Sequence, residues 1–164
     1  MIFGMTIFTF VHVVLSLVGI FSGFVVLFGL IAGKRLDGWT AFFLATTVAT
    51  SVTGFGFPIH GFTPGIGIGI ISLLVLAVAI FARYARRLTG IWRRVYVVTA
   101  VIALYLNFFV LIVQSFQKVP VLKTLAPTQS EPPFAITQLI ALAAFMALGV
   151  LAAIRFRSEP VRAA

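Results

Sequence analysis

Residues 114–138 read QSFQKVPVLKTLAPTQSEPPFAITQ, a long polar, proline-bearing run in a chain that is otherwise almost wholly lipid-soluble. Apolar segments lead into it and out of it. Irregular backbone in contact with hydrocarbon would leave N–H and C=O groups without partners, so such a run has to be a cap or loop at one membrane face. Of the 164 residues 62% are hydrophobic and 9% charged. Soluble domains hold roughly half and a quarter, so the composition is that of a membrane protein. The length suits one helical bundle and leaves no room for a second domain of ordinary size.

Working outward from that run, five segments can cross a hydrocarbon core of about 30 Å, which takes roughly 20 residues of helix. They are residues 5–33, 39–58, 66–83, 95–117 and 134–155. The expected fold is therefore an all-α transmembrane bundle of five helices forming a single domain over 1–164. The N-terminal run MIFGMTIFTFVHVV has no basic start, and its apolar character continues to Gly33. It reads as a retained first helix and not as a cleaved secretory signal. Cysteine is absent, which removes disulfides, thiolate nucleophiles and cysteine-bound zinc.

The basic residues orient the chain. Lys34 and Arg35 follow the first segment; Arg83, Arg86, Arg87, Arg93 and Arg94 lie between the third and fourth; Arg155, Arg157 and Arg162 follow the fifth. In a five-span protein these three places share one side, and Lys118 and Lys123 lie on the other. Lysine and arginine excess marks the cytoplasmic face, giving N-out, C-in topology in a bacterial inner membrane. Trp39, Tyr84, Trp92 and Tyr96 cluster at the same face, as interfacial anchors do. Topology also accounts for the net charge of +9, so nucleic acid is not the expected partner. Membrane lipids, a membrane-protein complex or further copies of the chain are.

The spans hold no acidic or basic residue away from their ends, which weighs against proton pumps, ion-coupled carriers and voltage sensors. There is no HExxH, no GxSxG and no paired carboxylates; Asp37, Glu131 and Glu159 belong to three separate surfaces. These absences weigh against a hydrolase, and a non-enzymatic role is expected. GIGIG at 65–69 lacks the strand before and the Gly-Lys-Ser/Thr after that a phosphate loop needs, and reads as packing or a bent helix start.

The polar residues that remain fall on seams. Thr9, His12, Ser16, Gly19 and Gly23 recur at spacings of three and four in the first segment, with GxxxG at 19/23 and again at 29/33. The second carries Thr46, Thr47, Thr50, Ser51 and Thr53, which can bond to the carbonyls of their own helix. The fourth places Tyr96, Ala100, Ala103, Asn107, Gln114 and Gln117 on one stripe. Asn107, near mid-membrane, has to face protein or water. His12 and His60 fall at similar depth near the outer boundary. Two facing imidazoles can hold haem b, or a copper ion together with Met1 or Met5. The plainer reading is an interhelical hydrogen bond for His12 and a solvated loop position for His60.

Within the opening run, residues 118–133 are too long and too apolar for a bare linker. They read as an outer lid, with a short interfacial helix over 119–125 setting Val119, Val121, Leu122 and Leu125 onto the helix ends, and with Glu131 near the N-terminus of the last span. The run QSFQKVP through LAPTQSEPPF resembles small uncharacterised integral membrane proteins of bacteria, a likeness covering the last third of the chain. It implies a specific feature and no reaction. The expected role is a non-enzymatic binding or accessory subunit. Its outer-leaflet pocket would accept a lipid, a quinone or a partner protein and be lined by His12, His60, Asn107, Gln114, Gln117 and Gln138 beneath the lid. A b-type haem module on His12 and His60, or a small oligomeric channel lined by the threonine-rich second segment, are the other readings.

Overall fold

Thr6 opens the first helix by accepting the Thr9 N–H on its hydroxyl at 3.1 Å, an N-cap that satisfies one of the free donors of the first turn. Helix α1 then runs Ile7–Ile31. It closes on Gly33, whose φ of 71° suits glycine, with Gly33 N donating to Leu30 O at 3.0 Å and Lys34 N to Gly29 O at 2.8 Å. The computed structural model describes residues 6–58 and 64–157, and the regular structure among them is helical. After α1 come α2 (Asp37–Gly54), α3 (Pro64–Ile80), α4 (Trp92–Lys118), the short α5 (Pro120–Leu125) and α6 (Pro132–Arg155).

Four helical stretches are long and apolar enough to cross a membrane: Ile7–Ile31, Pro64–Ala85, Trp92–Lys118 and Pro132–Arg155. The remaining long helix, α2, has 18 residues and carries five threonines and a serine. Most of that polarity is internal. Thr46 donates to Phe42 O at 2.8 Å, Thr47 to Phe43 O at 2.7 Å, Thr50 to Thr46 O at 2.9 Å, Ser51 to Thr47 O at 3.0 Å and Thr53 to Ala49 O at 2.7 Å. Each hydroxyl proton is used within the helix, so α2 can be packed among apolar neighbours. The helix stops at Gly54, short of Pro58, because a proline holds the residue before it in an extended conformation.

Helix α3 ends in a π-helical turn, Phe81–Ala85, in which Arg86 N reaches back to Phe81 O at 3.0 Å. The turn places Arg83 inside the protein at 3% exposure. Its guanidinium pairs with Asp37 of the first turn of α2 and lies 5.2 Å from the centre of the Tyr96 ring of α4. One buried cation thus joins three helices at the end that also carries Lys34, Arg35, Arg86, Arg87, Arg93, Arg94 and Arg155.

Helix α4 is the axis of the bundle, meeting every other helix. Its buried Tyr96, Val97, Ala100, Ala103 and Leu104 face α1, α2 and α3. On its other side Phe108 and Tyr105 meet Phe24 of α1 and Phe145 of α6, with ring centres 5.4–5.9 Å apart for Phe24–Phe108, Phe24–Phe145, Phe108–Phe145 and Tyr105–Phe145. Much of α6 faces outward: Leu139, Ile140, Met146, Val150 and Ile154 are exposed, as side chains meeting lipid would be.

Close approach of α1 to α2 and α4 depends on the first GxxxG pair. A Cβ at Gly23 would stand 2.5 Å from Leu104 Cδ1 and 2.8 Å from Phe43 Cε2; one at Gly19 would meet Asn107 Nδ2 at 3.2 Å and Thr47 Oγ1 at 3.3 Å. The second pair has a different use, since Gly29 accommodates Leu36 of the following turn and Gly33 supplies the reversal. Gly23→Ala is expected to lower stability in detergent by about 1–3 kcal/mol through overpacking. Gly38→Ala, where an added Cβ meets nothing within 4 Å, should leave thermal unfolding unchanged or raise its midpoint. Parallel melts of the two variants check this.

Candidate functional site

At the end of the bundle remote from the arginines, α1, α2, α3 and α4 part around a cavity of about 600 Å³. Its walls are chiefly apolar: Val13 and Leu17 from α1, Phe55 and Phe57 beyond α2, Ile66 and Ile68 from α3, Leu106, Val110 and Leu111 from α4. The glycine-rich start of α3 makes room here, since a Cβ on Gly69 would come 3.0 Å from the Phe55 ring.

Polar groups converge on this space from three helices. His12 bonds through Nδ1 to Thr53 Oγ1 at 2.8 Å, and the edge of its ring meets Phe57 with centres 5.0 Å apart. Deeper in, Ser16 Oγ donates to Asn107 Oδ1 at 2.9 Å, and Asn107 Nδ2 lies 3.5 Å from Ser16 O. This contact explains how a buried amide is tolerated at mid-helix. Gln114, Ser115, Lys118 and Val119 complete the wall toward the mouth. Three residues of the anticipated pocket, His12, Asn107 and Gln114, therefore line one cavity.

Gln117 and Gln138 lie elsewhere. Gln117 points away from it and donates from Nε2 to Gln129 Oε1 at 3.3 Å. Gln138 is buried between α6 and α4, with Nε2 3.4 Å from Phe109 O and with Oε1 lacking a partner among the described residues. The reason is angular: at 100° per residue, positions 107, 111, 114 and 118 share one face of α4, and 108, 112 and 116, which α6 covers, share the opposite one. His60, Met1 and Met5, invoked above for haem or copper, lie outside the described residues. Among the described residues no three of His, Cys, Asp and Glu come together to hold a metal ion. Sequence reasoning passed over Phe57, Ser72 and Lys118 as cavity residues and Thr53 as the partner of His12; the recurrence of Thr47, Thr50 and Gly54 on one face of α2 was the available signal.

The run over 118–133 is folded. Ala126 is fully buried and Leu122 half-buried against Ile112, Phe116, Phe134 and Ala141, so α5 leans on α4 and α6 and not across the cavity. Val119, Val121 and Leu125 are exposed, at 43%, 69% and 52%. A single short helix can turn down only one i, i+4 pair, here 122 and 126, and that choice sends 121 and 125 outward. Gln129, at φ 59°, donates from Nε2 to Val113 O at 2.8 Å and ties the loop to α4. The Glu131 carboxylate accepts from Thr128 Oγ1 at 2.8 Å, from Thr128 N at 3.2 Å and from Ser130 N at 3.1 Å.

Desolvation pushes the Glu131 carboxyl up, but these hydrogen bonds outweigh it and hold the group below the ordinary glutamate range. A carboxyl depressed on folding stabilises the fold above its unfolded value, and the contribution disappears as pH falls through the folded one. Glu131→Gln, which mimics the protonated state, is expected to speed tryptic cleavage after Lys123 several-fold at pH 8 while the spans stay inserted. Amide exchange at Thr128 and Ser130 should rise on acidification in the wild-type protein and be insensitive to pH in the variant, after correction for intrinsic exchange.

An apolar chamber with a few convergent hydrogen-bonding groups is the form that sites for small amphipathic molecules take. Comparison with protein-family models, with curated proteins and with solved structures finds no match for the chain.

Proposed function

We propose that the protein is a binding or accessory component of a bacterial inner membrane whose outer cavity takes a lipid-soluble, amphipathic molecule such as a lipid or a quinone-type compound. The observation that carries this reading is the cavity of about 600 Å³ bounded by four helices, with His12, Asn107, Gln114 and Lys118 among its polar lining. Chambers of this size match drug-sized ligands, for which about 300–1,000 Å³ is usual. The mouth lies near the end where Lys118 can meet a headgroup, and the chamber below is suited to a hydrocarbon or aromatic portion.

In the membrane, α2 acts as a fifth span. Its 18 residues cover about 27 Å at 1.5 Å each, and the inward-bonded hydroxyls remove most of the cost of crossing. The proposed orientation is N-out and C-in. It is supported by the gathering of Lys34, Arg35, Arg83, Arg86, Arg87, Arg93, Arg94, Arg155 and Arg157 at one end, against Lys118 and Lys123 at the other. Lipid is one partner on this view, and a larger membrane assembly or further copies of the chain are others.

Two measurements test the proposal. A cytoplasm-active reporter fused after Arg157 should function and a periplasm-active one should not; the reverse would put the cavity in the inner leaflet. Native mass spectrometry of gently extracted protein should show a bound amphiphile that Ser51→Trp, which fills the chamber, expels from inserted protein. An unchanged bound mass in that variant would overturn the assignment of the cavity. A Soret band in the purified chain that His12→Ala abolishes would instead assign His12 to haem.

A further inference from the structure

We propose that the cavity selects ligands whose headgroup carries a hydroxyl hydrogen-bond donor, a phenol or quinol in chemical class, received by the unprotonated Nε2 of His12. This rests on the cavity being a site for an amphipathic molecule, as above, and adds what its hydrogen-bonding pattern demands of that molecule.

The inference starts at Thr53. Its hydroxyl has one proton, and Oγ1 lies 2.7 Å from Ala49 O and 3.1 Å from Thr50 O, both of which can only accept. The proton is therefore committed to the helix backbone. His12 Nδ1 stands 2.8 Å from the same oxygen. What Oγ1 still offers is a lone pair, so Nδ1 has to be the donor. A neutral imidazole protonated on Nδ1 carries a bare lone pair on Nε2, the one polar atom His12 has left for a ligand.

The hydroxyls around it repeat the pattern. Thr47 donates to Phe43 O, Thr50 to Thr46 O, Ser51 to Thr47 O and, on α4, Ser115 to Leu111 O, at 2.7–3.0 Å. All four line the cavity with their protons already used. The wall formed by α2 thus accepts hydrogen bonds and has none to give. A quinone carbonyl, an ester or an ether finds no donor there, whereas a hydroxyl finds several acceptors. An ammonium would also donate, but none of the lining side chains is a carboxylate, and Lys118 at the mouth repels a second cation. The donor is therefore neutral, and a hydroxyl suits better than an N–H because its oxygen can in turn accept from Lys118 or Gln114, which also line the cavity. Phe55, Phe57 and the His12 ring bound the space with aromatic surface, which favours a flat ring over a sugar or glycerol carrier.

The full chain in lipid nanodiscs at pH 8, well above the ordinary histidine value of about 6.5, is equilibrated with para-nonylphenol or with its methyl ether, para-nonylanisole. Binding is corrected for partition into empty nanodiscs. The phenol should bind more tightly by about fivefold, the scale of one buried neutral hydrogen bond. Equal binding of phenol and ether overturns the hydroxyl preference and leaves the amphipathic site standing. If neither binds above empty nanodiscs, the cavity reading fails, and this inference with it. His12→Phe, which keeps a ring in place, should bring the phenol down to the affinity of the ether; retention of the preference would overturn the role of His12. Nitrogen chemical shifts of labelled histidine, assigned with His60→Ala, give a readout without ligand. A protonated Nδ1 and a bare Nε2 are expected at His12, and the opposite tautomer would overturn the proposal.

Discussion

Burying polar side chains among lipid-embedded helices requires that each find a partner inside the protein, and α2 meets that requirement largely on its own. A threonine that donates to the carbonyl four residues back can be buried at little penalty and still presents an oxygen to its neighbour. Thr46 and Thr47 do this beside Gly19, which is why α1 can come close to α2 at the level where Ser16 also bonds Asn107 of α4. The packing of the three helices and the electron-rich wall of the cavity have one cause. Replacing these threonines by valine would keep the shape and remove the lone pairs.

The opposite end is held by charge. Arg83 is buried, and its partner Asp37 also accepts from Arg35 Nε at 3.0 Å. Arg83 is buried whereas Asp37 is largely exposed, so loss of Asp37 would leave an uncompensated charge inside the protein. Asp37 stands in the first turn of α2, where the helix dipole favours an anion. The π turn of α3 adds the extra residue that aims Arg83 inward, toward Asp37 and the face of Tyr96. An arginine that topology alone would assign to the interface thus serves as a structural pin, and the more exposed Arg87 and Arg94 are left for the headgroups.

The helical bundle was legible because apolar runs of membrane length have few alternative readings, and the seam through His12, Ser16, Gly19 and Gly23 because small residues at helical spacing mark close contact. The short helix after Lys118 was legible from its prolines. Its orientation was not: both 121/125 and 122/126 are apolar pairs, and only the position of Ile112 and Phe116 decides which turns down. Gln117 was placed in the pocket by the stripe it was given on α4 and Gln138 by polarity, whereas the face of α4 on which each neighbour packs is a tertiary fact. The pairing of His12 with Thr53 lies across 41 positions of sequence and has no local signal. The burial of Arg83 was hidden as well, since a π turn shifts the angular register by one residue and no pattern of composition announces it.

Helix lengths explain why the cavity lies where it does. The pin at Asp37 fixes the start of α2 level with the ends of α3 and α1. From there α2 rises about 27 Å and stops, while α1, with 25 residues, and α4, with 27, continue to about 37 and 40 Å. The space above the end of α2 is roofed in part by Phe55 and Phe57 and bordered by the glycine-rich first turns of α3, which have little side-chain bulk to fill it. The cavity therefore runs beside the last turns of α2, where Thr47, Thr50, Ser51 and Gly54 line it, as well as beyond the end of the helix. The volume of the chamber follows from the glycines at 65 and 69 and the stop at Gly54, while its hydrogen-bonding character comes from the hydroxyls of α2 and from His12 of α1.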